Sequence, residues 1–190
     1  MTDFYFYLKE GWLHIISWYA LDHLLFIAAL VAMYTIYQWK KILVLVTAFT
    51  IGHTTTLVLS SFKVININNY WVEVIIPITI IITAVLNVLQ HKSKSVHHQA
   101  NYGLAIIFGC IHGLGFANTI QFMLASKQHI TVPLLGFNIG LEMGQILVVL
   151  ILLGTNYLVT KNTFFKQRWW ILLISISCIL ISFKMIAERW

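Results

Sequence analysis

Apolar residues dominate six stretches of this 190-residue chain, at 13–37, 42–62, 71–90, 101–124, 133–160 and 169–187, and the gaps between them are short. Each stretch is close to or longer than the about 20 residues an α-helix needs to cross the hydrocarbon core of a bilayer. The runs exceed strand length and lack the period-two alternation of a membrane barrel. The pattern predicts an all-α, polytopic integral membrane bundle of about six transmembrane helices, built as a single transmembrane domain over 1–190. Nothing resembles a linker: only 2 Pro occur, and no Ser/Gly-rich or repetitive tract separates the runs.

Composition agrees with that pattern. The chain is 59% hydrophobic and 9% charged, with mean hydropathy +0.84, whereas a soluble domain carries about a quarter charged residues. The lipid bilayer is therefore the expected partner. A formal charge of +6 raises the question of nucleic acid, but the cations sit in the gaps between apolar runs rather than in one patch, which excludes that reading. They set topology instead. Lys40, Lys41, Lys92, Lys94, Lys161, Lys166 and Arg168 fall on one side; Lys9, Lys63, Lys127, Lys184 and Arg189 fall on the other. The bias places both termini outside the cytoplasm. The first residues lack a basic region and a small-residue cleavage site, so they are expected to belong to the mature protein. Cys110 and Cys178 lie within apolar runs and are expected to be free thiols.

Ionisable groups inside a span are costly, so they face the bundle interior and carry a partner or a function. Here they are several: His14, Asp22 and His23 in the first stretch, His53 in the second, Glu73 opening the third, His112 in the fourth and Glu142 in the fifth. Asn138, Glu142 and Gln145 are spaced i, i+4, i+7 and share one helix face. Thr50 and Thr56 flank His53 and are placed either to hydrogen-bond its ring or to bond back to their own helix. Gly136, Gly140 and Gly144 make a thin face, as do Gly109 and Gly113 beside His112; such faces pack helices closely and also offer a surface for a homo-oligomer.

Imidazole and carboxylate donors gathered in a water-poor bundle suit a divalent transition metal ion, nickel, cobalt or zinc among them, and not copper(I), which prefers sulfur. The metal-ligand candidates are His14, Asp22, His23, His53, His112, Glu73 and Glu142, with Asn138, Gln145, Thr50 and Thr56 as orienting neighbours. A proton relay or hydrogen-bond network uses the same residue types. His91, His97 and His98 form a loop cluster whose default role is a solvated loop, with transient metal capture as the alternative.

At these residues the chain resembles the HupE/UreJ family of small bacterial membrane proteins. A His followed by DHLLF appears as His14 and then Asp22 to Phe26. The FT-x-x-H-x-x-TL pattern is Phe49 to Leu57, and VE-x-x-I runs from Val72 through Glu73 to Ile76. HGLGFA is His112 to Ala117, and FN-x-G-x-E-x-GQ is Phe137 to Gln145. Ala20 replaces an expected Gly, and Thr79 an expected Ser. The resemblance implies a bacterial inner (cytoplasmic) membrane protein that moves nickel or cobalt by secondary transport or facilitated diffusion. Two other classes remain open from the residues: a zinc-dependent intramembrane hydrolase acting on a lipid-like substrate, and a metal-binding accessory protein without flux.

Overall fold

A computed structural model describes residues 2–65, 68–92, 98–124, 130–161 and 165–189. Among the described residues seven α-helices follow in order: α1 Thr2–Ile16, α2 Leu21–Val31, α3 Trp39–Ser61, α4 Asn69–Gln90, α5 His98–Leu124, α6 Thr131–Thr160 and α7 Gln167–Ala187. No strand occurs among the described residues. The segments around α3, α4, α6 and α7 are each long and apolar enough to cross a membrane, and α1 with α2 qualifies as one bent span. The 27 residues of α5 contain a shorter apolar stretch, Asn101–Phe116, which brings the bundle to about six spans. Large apolar side chains such as Leu150, Leu158, Leu180 and Phe183 lie on the outside of the bundle, where lipid rather than water accommodates them.

The expected single span at 13–37 is corrected by the structure. The helix begins near residue 2, breaks at Ser17, makes a 3-10 turn over Trp18–Ala20, and resumes as α2 at an angle of 66°. Irregular backbone at membrane depth persists only where it lines a cavity or is buried in protein. Ser17 and Ala20 do line a cavity. Local signals explain the other ends: Asn68 caps α4 by accepting from the Tyr70 amide at 3.0 Å. Lys63, at φ 57°, closes α3 through amide bonds from Lys63 to Ser60 and from Val64 to Leu59.

The glycine faces set the helix pairing. A Cβ at Gly140 would collide with the Leu8 carbonyl, and one at Gly136 with the Phe4 carbonyl, so α1 lies parallel to α6 at backbone contact. A Cβ at Gly109 would strike the Phe49 carbonyl and one at Gly113 the His53 carbonyl, which pairs α5 with α3, again parallel. These faces are filled within the chain. A homo-oligomer through them, as the sequence suggested, therefore has no support from these glycines. The pairing also brings the start of α1 beside the start of α6 and the end of α7 beside the start of α4. We call this end of the bundle the terminal face and the other the loop face. Cys110 and Cys178 are both free, as expected.

Candidate metal centre

Four helices deliver the histidines. His14 stands at the end of α1, Asp22 and His23 open α2, and the break between the two helices turns both sets toward one point. His53 comes from the middle of α3 and His112 from α5. One ring nitrogen from each of His14, His23 and His53 lies within 4.8 Å of the other two. The His112 ring is 5.1 Å from that of His23. His53 and His112 are fully buried, and His23 is 4% exposed. Phe116 lies 4.2 Å from His14 and stacks on Phe137; Phe26 and Phe49 lie 5.0 and 5.3 Å from His112. The cluster is thus walled by aromatic rings.

Hydrogen bonds decide which nitrogens are free to coordinate. Asp22 Oδ1 sits 3.0 Å from His23 Nδ1 and also accepts the His23 amide at 2.8 Å. A carboxylate can only accept, so Nδ1 carries the proton and Nε2 carries the lone pair. His112 follows the same logic. The Thr79 hydroxyl donates to the Ile76 carbonyl at 2.7 Å and therefore accepts from His112 Nε2 at 3.2 Å, which leaves Nδ1 as the lone pair. His23 Nε2, His112 Nδ1, His14 Nε2 and both nitrogens of His53 are buried without a hydrogen-bond partner. Orphaned buried polar atoms are rare and costly. Several converging from four helices are what a cation centre needs. The residues present fit a transition metal bound through neutral imidazoles, with partners that fix each tautomer.

The remaining expected residues are divided. Asp22 acts through His23 and also lines the adjoining cavity. Glu73 is half-exposed at the rim of that cavity, where Arg189 Nε lies 3.9 Å from its carboxylate. Thr50 donates to Gln145 at 2.8 Å, Thr47 to Glu142 at 2.8 Å, and Thr54 to Asn138. These three bonds stitch α3 to α6. Glu142 thus faces a separate groove with Thr47, Thr54 and Val58, which shares no lining residue with the cavity beside the histidines. Thr56 bonds back to the His53 and Gly52 carbonyls rather than to the ring. His91 bonds the Val88 carbonyl; His97 lies outside the described residues, and His98 is described only as the start of α5.

Sequence reasoning missed three participants. Thr79, noted only as standing where a Ser is expected, fixes the His112 tautomer. Arg189 and Ser17 line the cavity of about 350 Å³ that runs from the histidines to the terminal face, alongside Glu73, Ile76 and Gly115. The available signal was that Thr79 lies one turn beyond Ile76 of the VE-x-x-I element, but it needed the position of α5 to be interpreted.

Fold and centre together define a polytopic helical membrane protein with a buried imidazole site reached from one face. A family profile described as HupE / UreJ protein matches residues 1–189, and the chain belongs to that family. Neither a curated protein nor a solved structure matches it.

Proposed function

We propose that the protein is a permease for a divalent transition metal ion of the nickel or cobalt class. The cargo reaches the His14–His23–His53–His112 centre through the cavity at the terminal face. Family membership supports this reading, because the resemblance to HupE/UreJ proteins implies nickel or cobalt handling. The observation that carries it is the set of unpartnered imidazole nitrogens on His23 and His112, each with its other nitrogen engaged by Asp22 or Thr79. The broken α1–α2 span adds support. Discontinuous helices at mid-membrane are where secondary transporters place their sites, and a cation is favoured near the carbonyl end of a half-helix. His14 is in the last turn of α1.

Three to four imidazoles replace part of the ion's hydration shell, and the aromatic rings around them leave water access only from the cavity side. The ion is then bound strongly enough to leave water yet weakly enough to depart. With the terminal face outside the cytoplasm, as the cation bias suggests, the cavity is the extracytoplasmic mouth and the loop face is the side of release.

The test is Ni²⁺ and Co²⁺ flux into proteoliposomes together with equilibrium binding. His23→Ala, His53→Ala and His112→Ala should each abolish flux and sharply weaken binding, with His91→Ala as the loop control. Normal binding in folded His variants would sink the metal reading. Binding without flux in the parent would replace the permease with a sensor, accessory or hydrolase.

A further inference from the structure

Beyond the histidines the inner half of the bundle is not uniformly apolar. On α4, Thr79, Thr83, Asn87 and Gln90 recur at helical spacing and form one stripe that leads from His112 to the loop face. Thr83, Asn87 and Gln90 line a small chamber with Asn101 of α5 and Leu30 of α2. Polar side chains inside a membrane bundle either bond across helices or line a path, and here three of them border a chamber.

The chemistry of the stripe suits a cation. Thr79 donates its hydroxyl proton to the Ile76 carbonyl, and Thr83 donates to the Thr79 carbonyl at 2.9 Å. With the donors spent on their own helix, each hydroxyl oxygen is left with lone pairs. The Asn87 amide nitrogen donates to the Ala29 carbonyl at 2.6 Å, and the Asn101 amide nitrogen to the Tyr34 hydroxyl at 3.2 Å. Both amides are held by their nitrogens, so their oxygens are the ends left to accept. The stripe therefore offers oxygen acceptors that bind nickel-class ions more weakly than imidazole does. Ligand strength falls from the cluster toward the loop face, which is the gradient a released ion requires.

The two cavities differ in size. The outer one holds about 350 Å³, whereas the inner chamber holds about 20 Å³, room for about one water molecule and not for a hydrated ion. Between them stands Phe26, fully buried, 5.0 Å from His112 and 5.9 Å from Phe108, which is itself a chamber wall.

We infer that the α4 stripe and Asn101 are the release half of the permeation path. The chamber is its collapsed vestibule, and Phe26 with Phe108 is the barrier that parts when the site turns toward the loop face. The structure is then the state open to the terminal face. This inference rests on the permease reading.

The test uses full-length protein with Cys110→Ala and Cys178→Ala as background, carrying Thr83→Cys or Asn87→Cys. A charged, membrane-impermeant thiol reagent is applied to oriented vesicles from either face. Both cysteines should react from the loop face, and Ile82→Cys and Val85→Cys, on the lipid-facing side of α4, should not. In parallel, Thr83→Val and Asn87→Leu should keep Ni²⁺ binding within about threefold and lose at least about tenfold in Ni²⁺ flux, a loss of more than 1 kcal/mol in barrier terms. Thr83→Val is nearly isosteric and guards against a folding defect in Asn87→Leu. Undiminished flux in both variants, or absence of labelling at both positions, overturns the route while leaving the permease intact. Absence of Ni²⁺ and Co²⁺ flux in the parent overturns both.

Discussion

The Arg189 guanidinium donates a hydrogen bond to the main-chain carbonyl of Glu73, the group that Pro77, four residues on, leaves without a helical partner. Proline has no amide proton, so a proline inside a helix orphans the carbonyl one turn before it. Arg189 takes up that carbonyl and also approaches the Glu73 carboxylate. The end of α7 is thereby tied to the start of α4 at the mouth of the cavity, with a fixed positive charge where a cation must pass.

Removing that charge should speed metal association. Arg189→Gln is expected to raise the association rate of Ni²⁺ about threefold to tenfold at low ionic strength, with the gain shrinking as salt is added. Stopped-flow binding measures this, and Arg168→Gln at the opposite face provides the comparison. An unchanged rate would show that Glu73 fully compensates Arg189 at the mouth.

Asp22 and Glu142 are both intramembrane carboxylates, yet they should behave differently. Asp22→Asn removes the acceptor that holds the His23 proton on Nδ1, and metal affinity should fall about 10–100-fold. Glu142→Gln keeps a hydrogen bond to Thr47 and should leave affinity within about twofold, a change of at most about 0.4 kcal/mol. Calorimetry on the two variants decides. Equal losses would place Glu142 back at the centre.

Thr79→Val deletes the hydroxyl that accepts from His112 Nε2 while preserving shape. His112 is then free to present either nitrogen, and affinity should drop by a similar 10–100-fold factor. Thr79→Ser should restore most of it. Failure of Ser to rescue would mean the methyl group, rather than the tautomer, is what matters.

Protons compete with metal for imidazole lone pairs, so apparent affinity should fall as pH is lowered. The direction follows because a protonated imidazole has no lone pair to donate, and four His contribute. Equilibrium dialysis between pH 8 and pH 5, about 1.5 units either side of the unperturbed imidazole value, gives the profile. Affinity that rises as pH is lowered would overturn imidazole ligation.

Gly140 holds α1 against α6 at backbone contact. Gly140→Ala should destabilise the bundle by about 1–3 kcal/mol through overpacking, measured by unfolding in detergent. Gly154, with open space where a Cβ would stand, is the control: Gly154→Ala should be neutral or stabilising by up to about 1 kcal/mol.

Much of the bundle was legible in the sequence because bilayer thickness demands long apolar helices, and their number follows from length alone. The four histidines were legible too, since an imidazole within an apolar run is conspicuous. Asp22 and Glu142 were harder. Both are carboxylates inside apolar runs, and only the partner across the interface, His23 in one case and Thr47 in the other, distinguishes them. The inner stripe was missed because Thr83, Asn87 and Asn101 are uncharged and sit on two different helices, so no local pattern links them.

By itself the sequence determined that the chain lives in a membrane, crosses it about six times and carries more imidazole and carboxylate than packing requires, because hydropathy and desolvation cost act residue by residue. Only the tertiary structure decided that the first span breaks at Ser17, that α1 pairs with α6 and α3 with α5, and which nitrogens remain unpaired. Those outcomes depend on helices far apart in the chain. A glycine face chooses its neighbour by shape, and a histidine chooses its free nitrogen by whichever acceptor that neighbour presents.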